Sequence, residues 1–329
     1  MSVTGVLADL VELGGAGLEI VDLGPHAPVL EHRPGMVTIG VGRSGRLPTR
    51  GLEAFDMLLC DDPAAPAPWV GLAPDLLTGA LAAVERQVQA QPTAATVAAQ
   101  VLRLTLSLGF DEALILESLA YSMLLASRGF KAWRKATPPR QRQEPDASRV
   151  LIEATPEAVR LTLNRPWSHN AFDARMRDEL AAALEFALHH PDQPPVVLAG
   201  AGPSFSAGGD LDEFGAAADV GAAHLIRSLR SPVRLLHALG PRVTVKAHGA
   251  CIGAGIELAA AAASLVAMPG ARFHLPEVTM GLIPGAGGTA SIPRRIGRHR
   301  AAYMAISGQP ILPDMALAWG LVNRVETAP

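Results

Sequence analysis

Residues 248–259, HGACIGAGIELA, decide the predicted fold. They follow the strand-like segment RVTVKAH (residues 242–248), their glycines predict a tight turn, and the alanine-rich segment after the turn predicts a helix. Backbone amides at the start of such a helix have no intrahelical acceptor and can bind a negatively charged oxygen. Glu257 lies three residues after Ala254 on this helix, so the sequence brings a carboxylate and free amides to the same end.

The helix belongs to a run of alanine, glycine and aliphatic residues, 250–271, that approaches the length of a membrane span. Glu257 interrupts the run, and an ionised carboxylate is costly in hydrocarbon. The run is also rich in alanine rather than leucine. We therefore predict a helix buried in the protein core, which carries a buried carboxylate.

The order strand, glycine turn, helix occurs three times in the second half of the chain. Before the first of these units, residues 149–166 predict a β-hairpin with its turn at Thr155 and Pro156, and residues 173–189 predict an amphipathic helix. The repetition predicts α/β architecture. The three units are VVLAGAG to SFSAGGDLDEF (196–214, with a helix that has an acidic first turn), RVTVKAH to the helix described above, and ARFHLPEV to MGLIPGAGGTASIPRRIG (271–297).

The chain divides at a polar segment that contains prolines, TPPRQRQEPDA (137–147), which predicts a linker. The length of 329 residues also favours about two units. We predict an N-terminal region at 1–136 and a second region at 148–329. In the first, residues 36–43 and 55–60 predict strands and residues 76–135 predict helices, but we identify no catalytic cluster there.

The composition is typical of a soluble globular protein, with 49% hydrophobic and 18% charged residues. The net charge of −3 has no excess that would favour nucleic acid or an anionic membrane as a partner. The N-terminal stretch MSVTGVLADLVELGG lacks a positive region and carries Asp9 and Glu12, so export is not expected. Cys60 and Cys251 fit neither a disulfide framework nor a zinc site. These features predict a cytoplasmic protein without a metal.

Two glycine motifs resemble nucleotide-binding loops but lack their context. GAGGTA (285–290) has the spacing of a dinucleotide fingerprint, yet a proline precedes it and Pro293 follows where helix interior is required. GAGPSF (200–205) has Phe205 where a third small residue belongs. The sequence therefore disfavours a Rossmann site, and it contains no Gly-Lys-Ser/Thr of a P-loop.

Three segments, taken in this order, resemble the crotonase (enoyl-CoA hydratase/isomerase) superfamily: FSAGGDLDEF (205–214), HGACIGAGIELA (248–259) and LPEVTMGLIPGAGGT (275–289). The resemblance extends from RLTLNRPWSHNAFD to ALAWGLVNRV, which is most of the second half. It implies a crotonase-like spiral of repeated ββα units and an acyl-CoA substrate. It implies no cofactor, since coenzyme A is part of the substrate.

The resemblance also implies a mechanism. Glu257 and Glu277 would form an acid/base pair that adds water to a 2-enoyl-CoA and gives the 3-hydroxyacyl-CoA, with Glu277 as proton donor to Cα and Glu257 as activator of the water. The amides of Ala207 and Ala254 would form the oxyanion hole for the enolate, and Gly285 would shape the site or bind water. The family often has glycine at the position of Ala254. Taken singly, each glutamate fits a structural role better than a catalytic one, and only the two together with the glycine turns favour an acid/base pair.

The resemblance also implies that two segments, residues 170–172 and 206–211, lie on opposite sides of the bound coenzyme A. Asp210 fits a helix cap better than a catalyst. The arginines at 294, 295, 298 and 300 predict a solvated helix face, with CoA phosphates as the alternative contact. The predicted CoA-binding residues are Asn170, Ala171, Phe172, Ser206, Gly208, Gly209, Asp210 and Leu211.

The family usually continues beyond GLVNRV (320–325) into helices that cover the site and help to build a trimer, whereas this sequence ends at Pro329. ESLAYSMLLASRGFKAW (117–133) resembles the last of those helices. We hypothesise a rearranged order in which helices 76–135 replace the tail and contact the core of their own or a neighbouring subunit. A homotrimer or hexamer is the implied assembly. The alternatives are an isomerase, hydrolase or decarboxylase of acyl-CoA, or a CoA-ligand-binding protein without turnover.

Overall fold

A four-stranded parallel sheet begins the fold. The computed structural model describes residues 17–28, 31, 33–43, 45 and 47–326, so the N-terminal stretch used above to argue against export lies outside the described residues. The strands lie side by side in chain order. All residues of the second and third strands are buried, as is typical of a parallel sheet that is covered on both faces. The strands are β1 (Leu18–Leu23), β2 (Val37–Gly42), β3 (Met57–Cys60) and β4 (Val70–Gly71).

Four helices follow this sheet. Pro74 and Pro92 each occupy a first helical position, where the missing N–H costs nothing. Within residues 76–135, which the sequence predicts to be helical, a break precedes Arg128, because the Ser127 side chain accepts a hydrogen bond from the Phe130 amide and caps a new helix. The helices are α1 (Pro74–Ala90), α2 (Pro92–Thr105), α3 (Phe110–Leu124) and α4 (Arg128–Ala136).

The second half is built on a six-stranded sheet, and the predicted hairpin forms one edge of it. The strands are β5 (Val150–Ala154), β6 (Val159–Leu163), β7 (Val196–Gly200), β8 (Val243–Ala247), β9 (Ala250–Ile252), β10 (Ser264–Ala267), β11 (Arg272–His274) and β12 (Arg324–Val325). The sheet order is β12-β10-β8-β7-β6-β5, and β9 pairs with β11 separately. Only the β5–β6 pair of this six-stranded sheet is antiparallel.

Helices pack against the sheet, and the helices that begin at Ala254 and Gly288 each follow a glycine turn directly. Asp173 caps the first α-helix of the second half by accepting a hydrogen bond from the Met176 amide, as the predicted boundary required. The helices are α5 (Ala174–Leu188), α6 (Val220–Leu229), α7 (Pro232–Leu239), α8 (Ala254–Ala259), α9 (Gly288–Ile296), α10 (Arg298–Ser307) and α11 (Pro313–Trp319). Among the described residues, no helix is long and apolar enough to cross a membrane.

The helix predicted within residues 250–271 begins directly after Gly253 as expected, but it is far shorter than the run, although most of the run is buried. The run contains β9, the short helix α8 and β10. Gly253 separates the first two with φ 49° and ψ −122°, a conformation that glycine adopts without strain. Residues 264–267 leave the helical path because they pair with β8 in the main sheet. The helix predicted within residues 204–214 is absent, since turns continue to α6.

The two halves share one hydrophobic core. It includes Leu59 of the first sheet and Leu102 of α2 together with Leu198 and Phe273 of the second half. Helices 76–135 therefore pack against the rest of the protein, as the hypothesis of a rearranged order requires. The evolutionary origin of that order stays a hypothesis.

Of the arginines at 294, 295, 298 and 300, which the sequence predicts to form a solvated face, only Arg294 is exposed. Each donates hydrogen bonds to backbone carbonyls, and most of these contacts cross between the halves. Arg298 binds the Phe55 carbonyl at 2.9 Å, and Arg300 binds the Trp69 carbonyl at 2.9 Å. Arg294 binds the Leu108 carbonyl at 2.8 Å. These side chains join the first half to the second.

The predicted linker, residues 137–147, has no regular secondary structure, but it is held in place. Glu144 pairs with Arg149 at 2.7 Å and also pairs with Arg165. These ion pairs lower the pKa of Glu144, chiefly through its hydrogen bond from Arg165. The predicted boundaries at 136 and 148 stay a prediction.

Candidate active site

A cavity of about 240 Å³ lies where the glycine turns of the second half meet α3 of the first half. Glu257, Glu277 and Gly285 line it from the second half. From the first half it is lined by Leu114, Glu117, Ser118, Tyr121 and Leu125. One side of the cavity is therefore formed by α3 and the adjacent Leu125, within the segment 76–135 that the sequence analysis expects to cover the site.

Glu257 lies in the first turn of α8 and is only 2% exposed. Its Oε2 atom accepts hydrogen bonds from the amides of Ala286 at 2.7 Å and Gly288 at 2.9 Å. Both amides belong to the N-terminus of α9, where helical N–H groups lack an internal acceptor and the helix dipole favours negative charge. These contacts favour the ionised form of Glu257.

Glu277 begins a single 3-10 turn (Glu277–Met280) after Pro276 and is 7% exposed. Its Oε2 atom is buried and accepts no hydrogen bond from the described residues. Its Oε1 atom lies close to Gly253, where an added Cβ would be 2.3 Å away. Burial raises the pKa of Glu277 to about 8. The surroundings of Glu277 thus favour the protonated carboxyl group.

Glu117 on α3 is a third carboxylate in the cavity, and the sequence analysis missed it. Its Oε1 atom accepts from the Gly287 amide at 2.6 Å, and its Oε2 atom accepts from the Thr289 amide at 2.8 Å and the Thr289 hydroxyl at 2.7 Å. One signal could have found it. Glu117 comes three residues after Leu114 and four after Ala113, on the buried face of the helix.

The three carboxylates are electrostatically linked. Burial comes first among the causes that raise the pKa of Glu257 well above its ordinary value, followed by the charges of Glu277 and Glu117. Burial also raises the pKa of Glu117 to about 7. Glu257 and Glu117 bind alternate amides of residues 286–289, whereas Glu277 binds none of them. When these like charges share one proton near neutral pH, we therefore assign it to Glu277.

The structure contradicts the prediction that the Ala207 amide belongs to an oxyanion hole. That amide donates a hydrogen bond to the His169 carbonyl at 2.9 Å, and Ala207 does not line the cavity. Gly209 does line it, and its amide has no acceptor among the described residues. A β-bridge to Phe172 uses the groups on either side of the Gly209 amide and leaves this amide on the opposite edge.

The second predicted amide, that of Ala254, lies at the first position of α8. Ala254 lines the cavity, and its N–H has no acceptor within the described part of the chain. The helix dipole adds to its affinity for negative charge. The geometry thus indicates Gly209 and Ala254 as the two available donors.

The predicted CoA-binding residues do not all lie at the cavity. Phe172, Gly209 and Asp210 line it, whereas Ala171, Gly208 and Leu211 do not, and their contacts with coenzyme A stay predictions. Asn170 and Ser206 are fully buried, so their predicted contact with coenzyme A is wrong. They hold the turn together instead. Asn170 Nδ2 donates to the carbonyls of Ala201 and Ser204, and Ser206 Oγ donates to the Asn170 carbonyl.

Asp210 is not a helix cap, since no helix begins beside it. Its Oδ2 atom pairs with Arg165 at 2.7 Å, and its Oδ1 atom accepts a hydrogen bond from the Asp212 amide. Gly285, predicted to shape the site, packs against the ring of Tyr121, where an added Cβ would be 2.5 Å from the ring. Its predicted contact with water is not tested by this geometry.

Comparison with known proteins identifies the family. The sequence model of the enoyl-CoA hydratase/isomerase family matches residues 154–328, just over half of the 329-residue chain. The chain belongs to the enoyl-CoA hydratase/isomerase family. The crotonase resemblance and the α/β fold predicted from the sequence are thereby confirmed.

Relatives within the enoyl-CoA hydratase/isomerase family differ in the reactions for which they are named. The chain is 35% identical over 178 residues to the mevalonyl-coenzyme A hydratase of Beauveria bassiana, a match covering 52% of the chain and 64% of that protein. It is 34% identical to the 1,2-epoxyphenylacetyl-CoA isomerase of Escherichia coli, covering 54% and 69%. The crystal structure of an enoyl-CoA hydratase from Mycobacterium smegmatis matches with a TM-score of 0.50 and 32% identity, covering 55% and 70%. The matched region thus spans about two thirds of each relative.

Proposed function

We propose that the protein hydrates a 2-enoyl-CoA thioester to the 3-hydroxyacyl-CoA. The observation that supports this proposal most strongly is that one cavity contains two carboxyl groups and two unpaired amides. The surroundings of one carboxyl group favour its ionised form, and those of the other favour its protonated form. The carboxylate of Glu257 is bound by amides, whereas the Glu277 carboxyl has a buried oxygen without a partner. Pairs of this kind can supply a base and an acid at the same pH.

The reaction balances with these residues and one water molecule. Glu257 accepts a proton from water while the water oxygen bonds to C3 of the substrate. The π electrons of the C2–C3 bond move to the thioester oxygen, where the amides of Gly209 and Ala254 stabilise the enolate. Glu277 then donates its proton to C2, and the carbonyl re-forms. The site is ready again when a proton returns from Glu257 to Glu277, so no resident cofactor is needed.

The first experiment measures the loss of absorbance of the conjugated thioester with crotonyl-CoA and longer 2-enoyl-CoAs. Formation of the 3-hydroxyacyl-CoA supports the proposal. Conversion of a 3-enoyl-CoA to the conjugated isomer without hydration would make the protein an isomerase, and release of free coenzyme A would make it a hydrolase. Binding of acyl-CoA without any conversion would favour a binding protein.

The rate of hydration should fall as the pH rises through about 8. Glu277 must be protonated to donate to C2, and burial raises its pKa to about 8, so the active form is lost above that pH. The measurement is kcat/KM for crotonyl-CoA from pH 6 to 10. A profile without an alkaline decline would contradict the assignment of Glu277 as the acid.

Gly209→Ala should lower kcat by about 100-fold, the cost expected when a donor is displaced by about 1 Å. An added Cβ would lie 2.6 Å from the Phe214 ring, so either the backbone or the ring must move. Combining it with Phe214→Ala should recover part of the rate. The control is Gly79→Ala, where a Cβ meets nothing within 4 Å. Wild-type activity of Gly209→Ala would show that the reaction does not depend on the exact position of the Gly209 amide.

We also propose a homotrimer or hexamer as the assembly. An exposed stripe on α3, spaced every four residues, supports it: Ile115, Leu119 and Met123 are 42%, 51% and 56% exposed. Light scattering should give a mass of three or six chains, and Leu119→Glu should reduce it. A monomer at all concentrations would refute the proposal.

A further inference from the structure

Arg227 is a cation in the wall of the cavity that no described carboxylate neutralises by an ion pair. It lies on α6, and its Nε atom donates to the Ser118 hydroxyl at 3.0 Å. Its Nη2 atom donates to the Ser122 hydroxyl, also on α3. The Nη1 atom has no acceptor among the described residues. The guanidinium group is thus held in position by neutral hydroxyls while part of its donor capacity is unused.

Arg227 is placed to contact the acyl chain of the substrate, not its thioester group. Its guanidinium carbon lies 5.1 Å from the centroid of the Tyr121 ring. The same ring packs against Gly285, next to the amides that bind Glu257. About one aromatic ring therefore separates Arg227 from the catalytic loop. A group bound to Arg227 would be several bonds away from the reacting carbons.

The other charges of the cavity leave Arg227 without a counterion. Burial, with a smaller contribution from Arg177, lowers its pKa, so its charge is costly in the free protein. Arg177 and Arg230 already bind Asp178, at 2.9 and 3.2 Å. The charge of Glu117 raises the pKa of Arg227, but both oxygens of Glu117 accept hydrogen bonds from the amides of Gly287 and Thr289.

Apart from the catalytic pair Glu257 and Glu277, the remaining carboxylates that line the cavity also have partners. Asp210 pairs with Arg165 at 2.7 Å, and Asp173 lies 3.6 Å from the same guanidinium group. Glu213 accepts a hydrogen bond from the Ala174 amide at 2.8 Å. None of the three forms an ion pair with Arg227.

We propose that Arg227 binds a carboxylate at the far end of the acyl group, so that the preferred substrates are ω-carboxyacyl-CoA thioesters. This inference rests on the proposed acyl-CoA substrate. A carboxylate would accept the unused N–H groups of Arg227 in a charge-assisted hydrogen bond. An unsubstituted alkyl chain would leave the cation desolvated and unpaired.

The test measures binding by calorimetry at one ionic strength, using saturated thioesters that cannot react. Glutaryl-, adipyl- and pimelyl-CoA are compared with pentanoyl-, hexanoyl- and heptanoyl-CoA, so each pair differs only in the terminal carboxylate. In the wild-type protein, at least one carboxylated ligand should bind about 10-fold more tightly than its partner. Arg227→Met should abolish this ratio. Arg234→Met is the matched control, because Arg234 also links the second half to α3, through Asp111 at 3.2 Å, but lies outside the cavity.

If Arg227→Met does not fold, Arg227→Gln replaces it, because glutamine can still donate a hydrogen bond to Ser118. This variant should also lose the tighter binding of the carboxylated thioester. Equal affinities within every pair in the wild-type protein would overturn the inference. The inference would also be overturned if Arg227→Met weakened the binding of both members of a pair equally. Arg227 would then contribute to the binding of coenzyme A or to the fold, not to the binding of a terminal carboxylate. If none of these thioesters binds, the proposed function itself fails.

Discussion

Glu277→Gln is expected to lower kcat for hydration by about 10²- to 10⁴-fold, the usual contribution of a general acid. Glutamine keeps the shape of the side chain but has no carboxyl proton to donate to C2. Glu257→Gln should have an effect of similar size, because its carboxamide cannot accept a proton from water. Both effects should appear in kcat with little change in KM, since neither step involves ground-state binding.

The matched control for these variants is Glu185→Gln, a change of the same kind on the exposed surface of α5. It should leave kcat unchanged. In Glu277→Gln, the activity that remains should show no alkaline decline of kcat/KM. Wild-type rates in both Glu257→Gln and Glu277→Gln would remove the proposed mechanism.

Glu117→Ala is expected to lower the free energy of unfolding by about 3 kcal/mol, because it leaves buried donors without an acceptor. These donors are the amides of Gly287 and Thr289 and the Thr289 hydroxyl. The same change should reduce activity, since residues 286–289 also hold Glu257. Urea denaturation followed by circular dichroism measures the first effect. Glu112→Ala, an exposed position of the same helix, should change stability by less than about 1 kcal/mol.

The pH dependence of stability tests the environment of Glu117 separately. Burial raises its pKa from 4.5 to about 7, so the folded protein binds this proton more tightly than the unfolded chain does. The resulting stabilisation is complete below about pH 4.5 and is lost as the pH rises to about 7. Glu117→Gln, which does not titrate, should therefore lose less stability than the wild-type protein between pH 5 and 7. An identical slope in both proteins would show that this site does not titrate there.

Much of the fold could be predicted from the sequence because its signals are local. The hairpin at residues 149–166, the helix after Asp173 and the glycine turn before α8 each depend on residues that are neighbours in the chain. The break of residues 250–271 could not be predicted in this way. Residues 264–267 form a strand because β8, about 20 residues earlier, offers a free edge.

The site shows the same division. The sequence by itself determined that Glu257 and the Ala254 amide lie together at one end of a helix, because three residues of spacing fix their relation. Only the tertiary structure decided which amide accompanies them: His169 occupies the Ala207 amide, and Gly209 is left free. Only the tertiary structure brought in Glu117, 170 residues before the Gly287 amide that it accepts. Contacts between distant parts of the chain depend on how whole elements pack, and no local pattern encodes that packing.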